Sequence, residues 1–161
     1  MIRHLNDAAF GEPNEGLLVD CLRADGNALA ELVAEENGRI VGHILFSRLL
    51  LHGHDVIEAA ALAPMSVIPR RQRAGIGSTL VAGLARCGAL SLPAIVVLGH
   101  PVYYPRFGFS AASTARLKSS FSGPAFMALG FNPAALQTER ACATPLRPAW
   151  RTGSKKMKGC Q

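Results

Sequence analysis

The segment 72–78, Gln-Arg-Ala-Gly-Ile-Gly-Ser, has the composition of an anion site where a strand is predicted to run into a helix. The first N–H groups of a helix have no partner within it, and the helix dipole adds positive potential at that end. Gly75 and Gly77 would let phosphate oxygens approach the backbone, and Ser78 adds a hydroxyl group. Positive charge flanks the segment at Arg70, Arg71 and Arg73.

Single residues exclude two nucleotide-binding motifs here. A Walker A loop requires a lysine after its last glycine, and Ser78 stands at that place. A dinucleotide fingerprint requires a third glycine, and Leu80 stands at that place. A glycine-rich turn without a ligand remains the structural alternative.

The hydrophobic spacing predicts the elements that hold this loop. Helices are predicted from residue 2, over 14–24 and over 75–86, and strands over 29–35, 39–51, 56–67, 94–98, from 109 onward and over 126–131. Asn37-Gly38 predicts a two-residue hairpin turn. Pro64 has no N–H for a sheet, so pairing is expected to fail there on one side. The order predicts an α+β fold: helices, an antiparallel meander, one strand–loop–helix–strand crossover and a final hairpin.

The composition sets limits on function. A chain of 161 residues with 49% hydrophobic and 17% charged residues predicts one folded domain, over 1–145. No apolar run reaches the ~20 residues of a membrane span, and the first residues lack a signal-peptide pattern, so we expect a cytoplasmic protein without a membrane partner. No cysteine or histidine spacing indicates a metal site.

The last residues, 146–161, are predicted to form a basic flexible tail. Five of the 17 basic residues lie there, which leaves the remainder nearly neutral against 11 acidic residues. The net charge of +6 is therefore weak support for a nucleic-acid partner, and we do not expect one.

Two segments resemble the GNAT superfamily of N-acetyltransferases. Residues 65–80 read M-S-V-I-P-R-R-Q-R-A-G-I-G-S-T-L, which resembles its acetyl-CoA motif V-x-P-x-x-Q-x-x-G-x-G-x-x-L. Residues 99–109 read G-H-P-V-Y-Y-P-R-F-G-F, which is similar to a branch of small bacterial predicted N-acetyltransferases. The resemblance spans roughly residues 2–131, and it implies a mixed, mostly antiparallel sheet that is splayed at its central strands and flanked by helices.

The resemblance implies acetyl-CoA as cofactor. Its pyrophosphate would be bound by Arg73, Ala74, Gly75, Ile76, Gly77 and Ser78. Its pantetheine amides would pair with the strand residues Met65, Ser66 and Val67, one of whose N–H groups would polarise the acetyl carbonyl. An ordinary core strand is the alternative for these three residues.

Tyr104 matches the position of the family's general acid. A phenol with a pKa of about 10 is protonated at neutral pH and can protonate a departing thiolate. A packed aromatic residue beside Phe107 and Phe109 is the alternative, and Tyr103 has the wrong spacing for the role. The general base stays open among Glu58, His54, His100 and a water chain.

The resemblance implies transfer of an acetyl group to a primary amine of a small molecule or peptide, by direct attack in a ternary complex. The alternative is a non-catalytic acyl-CoA-binding regulatory module. The family's first strand is absent before the first helix, and Val97 lies near the position of a common asparagine. The edge strand 29–35 would then expose unpaired backbone groups, which predicts a homodimer.

Overall fold

The computed structural model describes residues 1–87, 91–132 and 134–143. The helices are α1 (Ile2–Phe10), α2 (Asn14–Ala24), α3 (Ile76–Cys87) and α4 (Ala134–Gln137). The strands are β1 (Ala28–Glu36), β2 (Arg39–His52), β3 (Val56–Val67), β4 (Ala94–Leu98), β5 (Leu117–Lys118), β6 (Phe126–Gly130) and β7 (Arg140–Ala143). None of the described helices is long and apolar enough to cross a membrane.

The described residues form two compact units. The first contains 1–46 and 64–87, and the second contains 47–63, 91–132 and 134–143. Strands β2 and β3 are long enough to contribute a segment to each unit. Each unit is described separately below.

The first unit contains α1, α2, β1, the start of β2, the end of β3, and α3. β1 pairs with β2 through the turn at Asn37 and Gly38, whose φ angles of 51° and 74° are those of the predicted hairpin turn. Val19 and Leu22 of α2 pack on Leu45 of β2 in a fully buried cluster. This cluster attaches the helical pair to the sheet.

The second unit contains six strands in the order β5-β7-β2-β3-β4-β6. β3 pairs parallel with β4, β4 antiparallel with β6, β2 antiparallel with β7, and β5 parallel with β7. One face of this sheet buries an apolar cluster that consists of Leu49, Leu51, Ala59, Ala94, Val96, Leu117, Phe126 and Ala128. The mixed, mostly antiparallel sheet flanked by helices confirms the predicted α+β class.

The structure differs from the predicted elements at the carboxyl-terminal end of the sheet. The predicted strand from residue 109 is wrong: Ser110 forms only an isolated bridge with Ala128, and a 3-10 turn follows over Ala112–Thr114. The predicted final hairpin is reduced to this one antiparallel bridge, and β6 forms its main pairing with β4. β5 and β7 have two and four residues, too few for a hydrophobic period to be recognised.

The first described element is α1, as predicted, and no strand precedes it among the described residues. β1 pairs only with β2 within the same part of the chain. The predicted basic tail, 146–161, lies outside the described residues.

Candidate functional site

Hydrogen bonds fix the loop between β3 and α3. A 3-10 turn follows β3 directly, and the Gln72 side-chain amide donates to the Val67 carbonyl over 3.1 Å. The Ile68 N–H donates to the Val41 carbonyl of β2 over 3.0 Å, which ties the start of the loop to the sheet. The loop therefore leaves the strand in one defined conformation.

The backbone of the loop turns through left-handed conformations. Arg73 has a φ of 62°, and Gly75 has a φ of 83°. The first α3 bond runs from the Thr79 N–H to the Gly75 carbonyl over 3.0 Å, so the helical hydrogen-bond pattern begins at Thr79. A Cβ at Gly75 would meet no atom within 4 Å, so the turn is open on that side. The N-terminus of a helix is an arrangement that binds anions.

The charges around the loop are divided between free and paired arginines. Arg71 forms an ion pair with Glu36 at the end of β1. Arg70 and Arg73 are exposed and have no ion-pair partner within the described part of the chain. The side chains of Arg70 and Arg73 are therefore available to a phosphate-rich ligand, whereas Arg71 is held by Glu36.

The end of β3 carries an orphaned hydroxyl group. Ser66 is buried, and its Oγ has no hydrogen-bond partner among the described residues, while Met65 and Val67 are half-buried. The pairing of β3 with β4 comprises Ala60 to Leu62, and β3 continues to Val67 beyond the last of these pairs. The described pairs with β4 therefore do not include Met65, Ser66 or Val67. These features fit a ligand with amide groups and phosphates.

Gly42 of β2 lets the first turn of α3 approach the sheet. A Cβ at Gly42 would lie 2.8 Å from Ile76 Cγ2 and 3.1 Å from Leu80 Cδ1. Its φ is not positive, so space rather than backbone conformation requires glycine here. In the sequence Gly42 lies in the predicted strand 39–51, and nothing local to it indicates a contact with α3.

In the second unit, Tyr104 begins a 3-10 turn (Tyr104–Phe107) that ends at Gly108, whose φ is 92°. Tyr104 is buried, and its ring makes an edge contact with Phe109 at a centroid distance of 5.7 Å. Burial raises the pKa of Tyr104 to about 12, so its hydroxyl is protonated at neutral pH. That hydroxyl makes no hydrogen bond to any residue that the structure describes, which leaves the proton available for donation.

None of the open base candidates gains a catalytic environment in the structure. Glu58 is exposed and forms an ion pair with Arg48 at 3.1 Å, and His54 and His100 are exposed. Burial raises the pKa of Cys142 to about 11, which disfavours a nucleophilic thiolate. The described residues contain no cluster of three metal-ligating side chains. The general base stays unassigned.

Features of the fold and of the two units, taken separately, indicate the class of protein. The fold is a mixed sheet flanked by helices, with an open glycine turn at the start of α3 and a buried, protonated tyrosine after β4. The acetyltransferase (GNAT) domain family matches residues 29–111, which is more than half of the chain. The chain belongs to the GNAT family, as the two sequence motifs predicted.

Relatives of the chain agree with this assignment. It is 39% identical to the uncharacterised N-acetyltransferase YjhQ of Escherichia coli over 67% of its own length, and it spans 62% of that relative. It is 32% identical to the uncharacterised N-acetyltransferase YhbS of the same species, over 71% of this chain and 70% of YhbS.

Two solved structures are similar to this fold. The GNAT-family N-acetyltransferase YhbS from Escherichia coli in complex with CoA aligns with a TM-score of 0.78 at 30% identity, over 89% of this chain and 82% of YhbS. A GNAT-family acetyltransferase from Brucella melitensis in complex with acetyl-CoA aligns with a TM-score of 0.66 at 38% identity, over 82% and 80% of the two chains.

Proposed function

We propose that the protein is an acetyl-CoA-dependent N-acetyltransferase that transfers the acetyl group to a primary amine by direct attack in a ternary complex. The observation that carries the proposal is the open turn at the start of α3, with exposed Arg70 and Arg73 beside it. The bound CoA and acetyl-CoA of the two similar solved proteins support the same ligand here.

The pyrophosphate of acetyl-CoA would accept hydrogen bonds from the loop amides. The proposed contacts are Arg73, Ala74, Gly75, Ile76, Gly77 and Ser78. Each of these amides lies at or before the first turn of α3, where the helix dipole adds positive potential. Met65, Ser66 and Val67 would pair with the pantetheine arm, and the orphaned Ser66 hydroxyl supports a polar ligand at this strand end.

In the proposed reaction the amine nitrogen attacks the acetyl carbonyl carbon, and an N–H group of Met65–Val67 stabilises the negative charge on the oxygen. The carbon–sulfur bond then breaks, and its electron pair leaves with sulfur. Tyr104 would donate its phenol proton to that thiolate, and the proton of the former amine returns to solvent or to the phenolate. A pKa of about 12 keeps Tyr104 in the donor form over the whole neutral range.

The loop is tested by two isosteric substitutions of Gly75. Asparagine and aspartate tolerate positive φ to a similar degree, so Gly75→Asn and Gly75→Asp share any strain at φ 83° and differ in charge. At a concentration of about 100 Kd, acetyl-CoA should stabilise the protein by ~2.7 kcal/mol, which is a melting shift of about 5–10 °C. The carboxylate should weaken binding about tenfold or more relative to asparagine and so reduce the melting shift by about half or more. Equal shifts in the two variants would contradict phosphate binding at this loop.

Turnover is tested with Tyr104→Phe in a transfer assay that follows CoA release with a panel of small amines, aminoglycosides and peptides. The rate should fall about 10²–10⁴-fold, because the thiolate loses its proton donor, while the acetyl-CoA melting shift is retained. Tyr103→Phe is the matched control, and we expect a smaller effect from it. A wild-type rate in Tyr104→Phe would mean that Tyr104 only packs.

The alternative function is a non-catalytic acyl-CoA-binding regulatory module. Such a module would also bind acetyl-CoA at the loop before α3, but it would not transfer the acetyl group. Retained binding of acetyl-CoA with no CoA release for any amine in the panel would favour the module over the enzyme.

A further inference from the structure

The ring of Tyr104 lies directly against the backbone of Gly99, the residue that follows β4. A Cβ at Gly99 would lie 2.2 Å from Tyr104 Cε2, 2.7 Å from Cδ2 and 3.2 Å from Cζ. Carbon atoms in contact are normally about 3.5–4.0 Å apart, so a methyl group here and the ring in its present place exclude each other. The φ of Gly99 is not positive, so the glycine serves the approach of the ring and not a special backbone conformation.

The other sides of the Tyr104 ring are also held. Phe109 makes an edge contact at 5.7 Å between centroids, and Tyr103 makes another at 5.1 Å. The Tyr104 N–H donates to the His100 carbonyl over 3.3 Å, which fixes the backbone of the turn. Because the hydroxyl has no hydrogen-bond partner among the described residues, packing of the ring alone sets the position of its proton.

We propose that Gly99 is a positioning residue for acetyl transfer: its missing side chain lets the Tyr104 ring lie at the end of β4 and so fixes where the phenol delivers its proton. This inference rests on the proposed function of Tyr104 as the acid. Proton transfer requires heavy atoms within about 2.6–3.2 Å of each other. A displacement of about 1 Å in a reacting group can cost on the order of 10²-fold in rate.

Gly99→Ala should therefore lower kcat about 10–100-fold, with the KM for acetyl-CoA unchanged within about twofold. Gly130→Ala is the matched control, since it adds a methyl group to the same sheet at the end of β6. A Cβ at Gly130 would meet the flexible end of Leu136, at 2.9 Å from Cδ1, and no atom of Tyr104 within 4 Å. We expect near-wild-type kcat for Gly130→Ala.

A double-mutant cycle separates positioning from general damage to the fold. In the Tyr104→Phe background there is no phenol proton to misplace, so Gly99→Ala should lower kcat by less than about threefold further. A full multiplicative loss in the double variant would overturn the inference, because it would indicate a structural defect independent of the hydroxyl.

The cycle also separates this inference from the proposed function. A wild-type rate in Tyr104→Phe would overturn the acid role itself. A slow Tyr104→Phe beside a wild-type kcat in Gly99→Ala would overturn the positioning role alone.

Should Gly99→Ala fail to fold, Phe109→Leu loosens the ring from another side. Loss of the edge contact at 5.7 Å should lower kcat about tenfold with the KM for acetyl-CoA retained, and the loss should again shrink in the Tyr104→Phe background. An unchanged kcat in Phe109→Leu would count against positioning of the hydroxyl by ring packing.

Discussion

Replacing Gly42 with alanine places a methyl group between β2 and the first turn of α3. The new Cβ would lie 2.8 Å from Ile76 Cγ2, 3.1 Å from Leu80 Cδ1 and 3.4 Å from the Cβ of Ala34. Leucine can rotate its end away, but a β-branched side chain in a helix has one strongly preferred χ1 rotamer. The clash with Ile76 is therefore relieved mainly when the start of α3 moves outward by roughly 0.7–1.2 Å, the shortfall from normal carbon contact.

Overpacking of this size costs about 1–3 kcal/mol, and in a chain of this length each kcal/mol lowers Tm by roughly 2–4 °C. We expect Gly42→Ala to melt about 2–12 °C below wild type. The acetyl-CoA shift should also decrease, because the displaced turn carries the proposed phosphate-binding amides. Differential scanning fluorimetry with and without acetyl-CoA measures both effects.

Gly83→Ala is the matched control, because it also adds one methyl group at α3. Among the described residues its Cβ would meet Leu32 Cδ1 alone, at an ordinary 3.4 Å, and alanine is better than glycine in a helix by about 1 kcal/mol, so the Tm of this variant should stay level or rise. Ile76→Ala added to Gly42→Ala should recover part of the lost acetyl-CoA shift. A Tm for Gly42→Ala within about 1 °C of wild type, with an unchanged shift, would refute the steric reasoning.

Three further outcomes are expected. Burial lowers the pKa of fully buried His43 below its usual 6.5, although the hydrogen bond between the His43 ring and the Glu31 carboxylate opposes this change. Between that lowered pKa and 6.5 the unfolded chain binds more protons than the folded chain, so Tm should fall from about pH 7.5 to about pH 5.5. The fall should be smaller in His43→Gln, and equal pH slopes would argue against His43 as the origin. Buried Arg140 binds the Asp55 carboxylate at 2.7 Å and the Asp55 backbone carbonyl at 3.1 Å. Arg140→Met loses both contacts and Asp55→Ala loses only the first, so Arg140→Met should lower Tm more. A larger loss of Tm in Asp55→Ala would contradict this. Light scattering at micromolar concentration should detect a homodimer formed through the open edge of β1, and a mass near 17.0 kDa at every concentration would exclude it.

Several elements followed from the sequence alone. The bounds of α2, β3 and β4 agree with the predicted 14–24, 56–67 and 94–98, because each has a clear hydrophobic pattern and ends at a turn signal. The conformation of the turn at Asn37-Gly38 depends only on the backbone preferences of its own four residues. The features that predict an anion site in the loop before α3 are similarly local, since they are glycines, arginines and the start of one helix.

The strands β5 and β7 were decided by tertiary structure. Their few residues carry no period of their own, and they become strands because β7 pairs with β2 and β5 pairs with β7. The same holds for Arg140, which reaches the carbonyl of a residue 85 positions earlier in the chain. No local pattern encodes such a partner.

Gly42 and Gly99 illustrate this division. The sequence places Gly99 in a family motif and Gly42 in the predicted strand 39–51, without assigning either residue a task. Only the folded chain brings Ile76 over Gly42 and the Tyr104 ring over Gly99. Local backbone preferences act over a few neighbouring residues and can be recognised in sequence, whereas a close approach between elements depends on how separate segments pack, and that is fixed only when the tertiary structure forms.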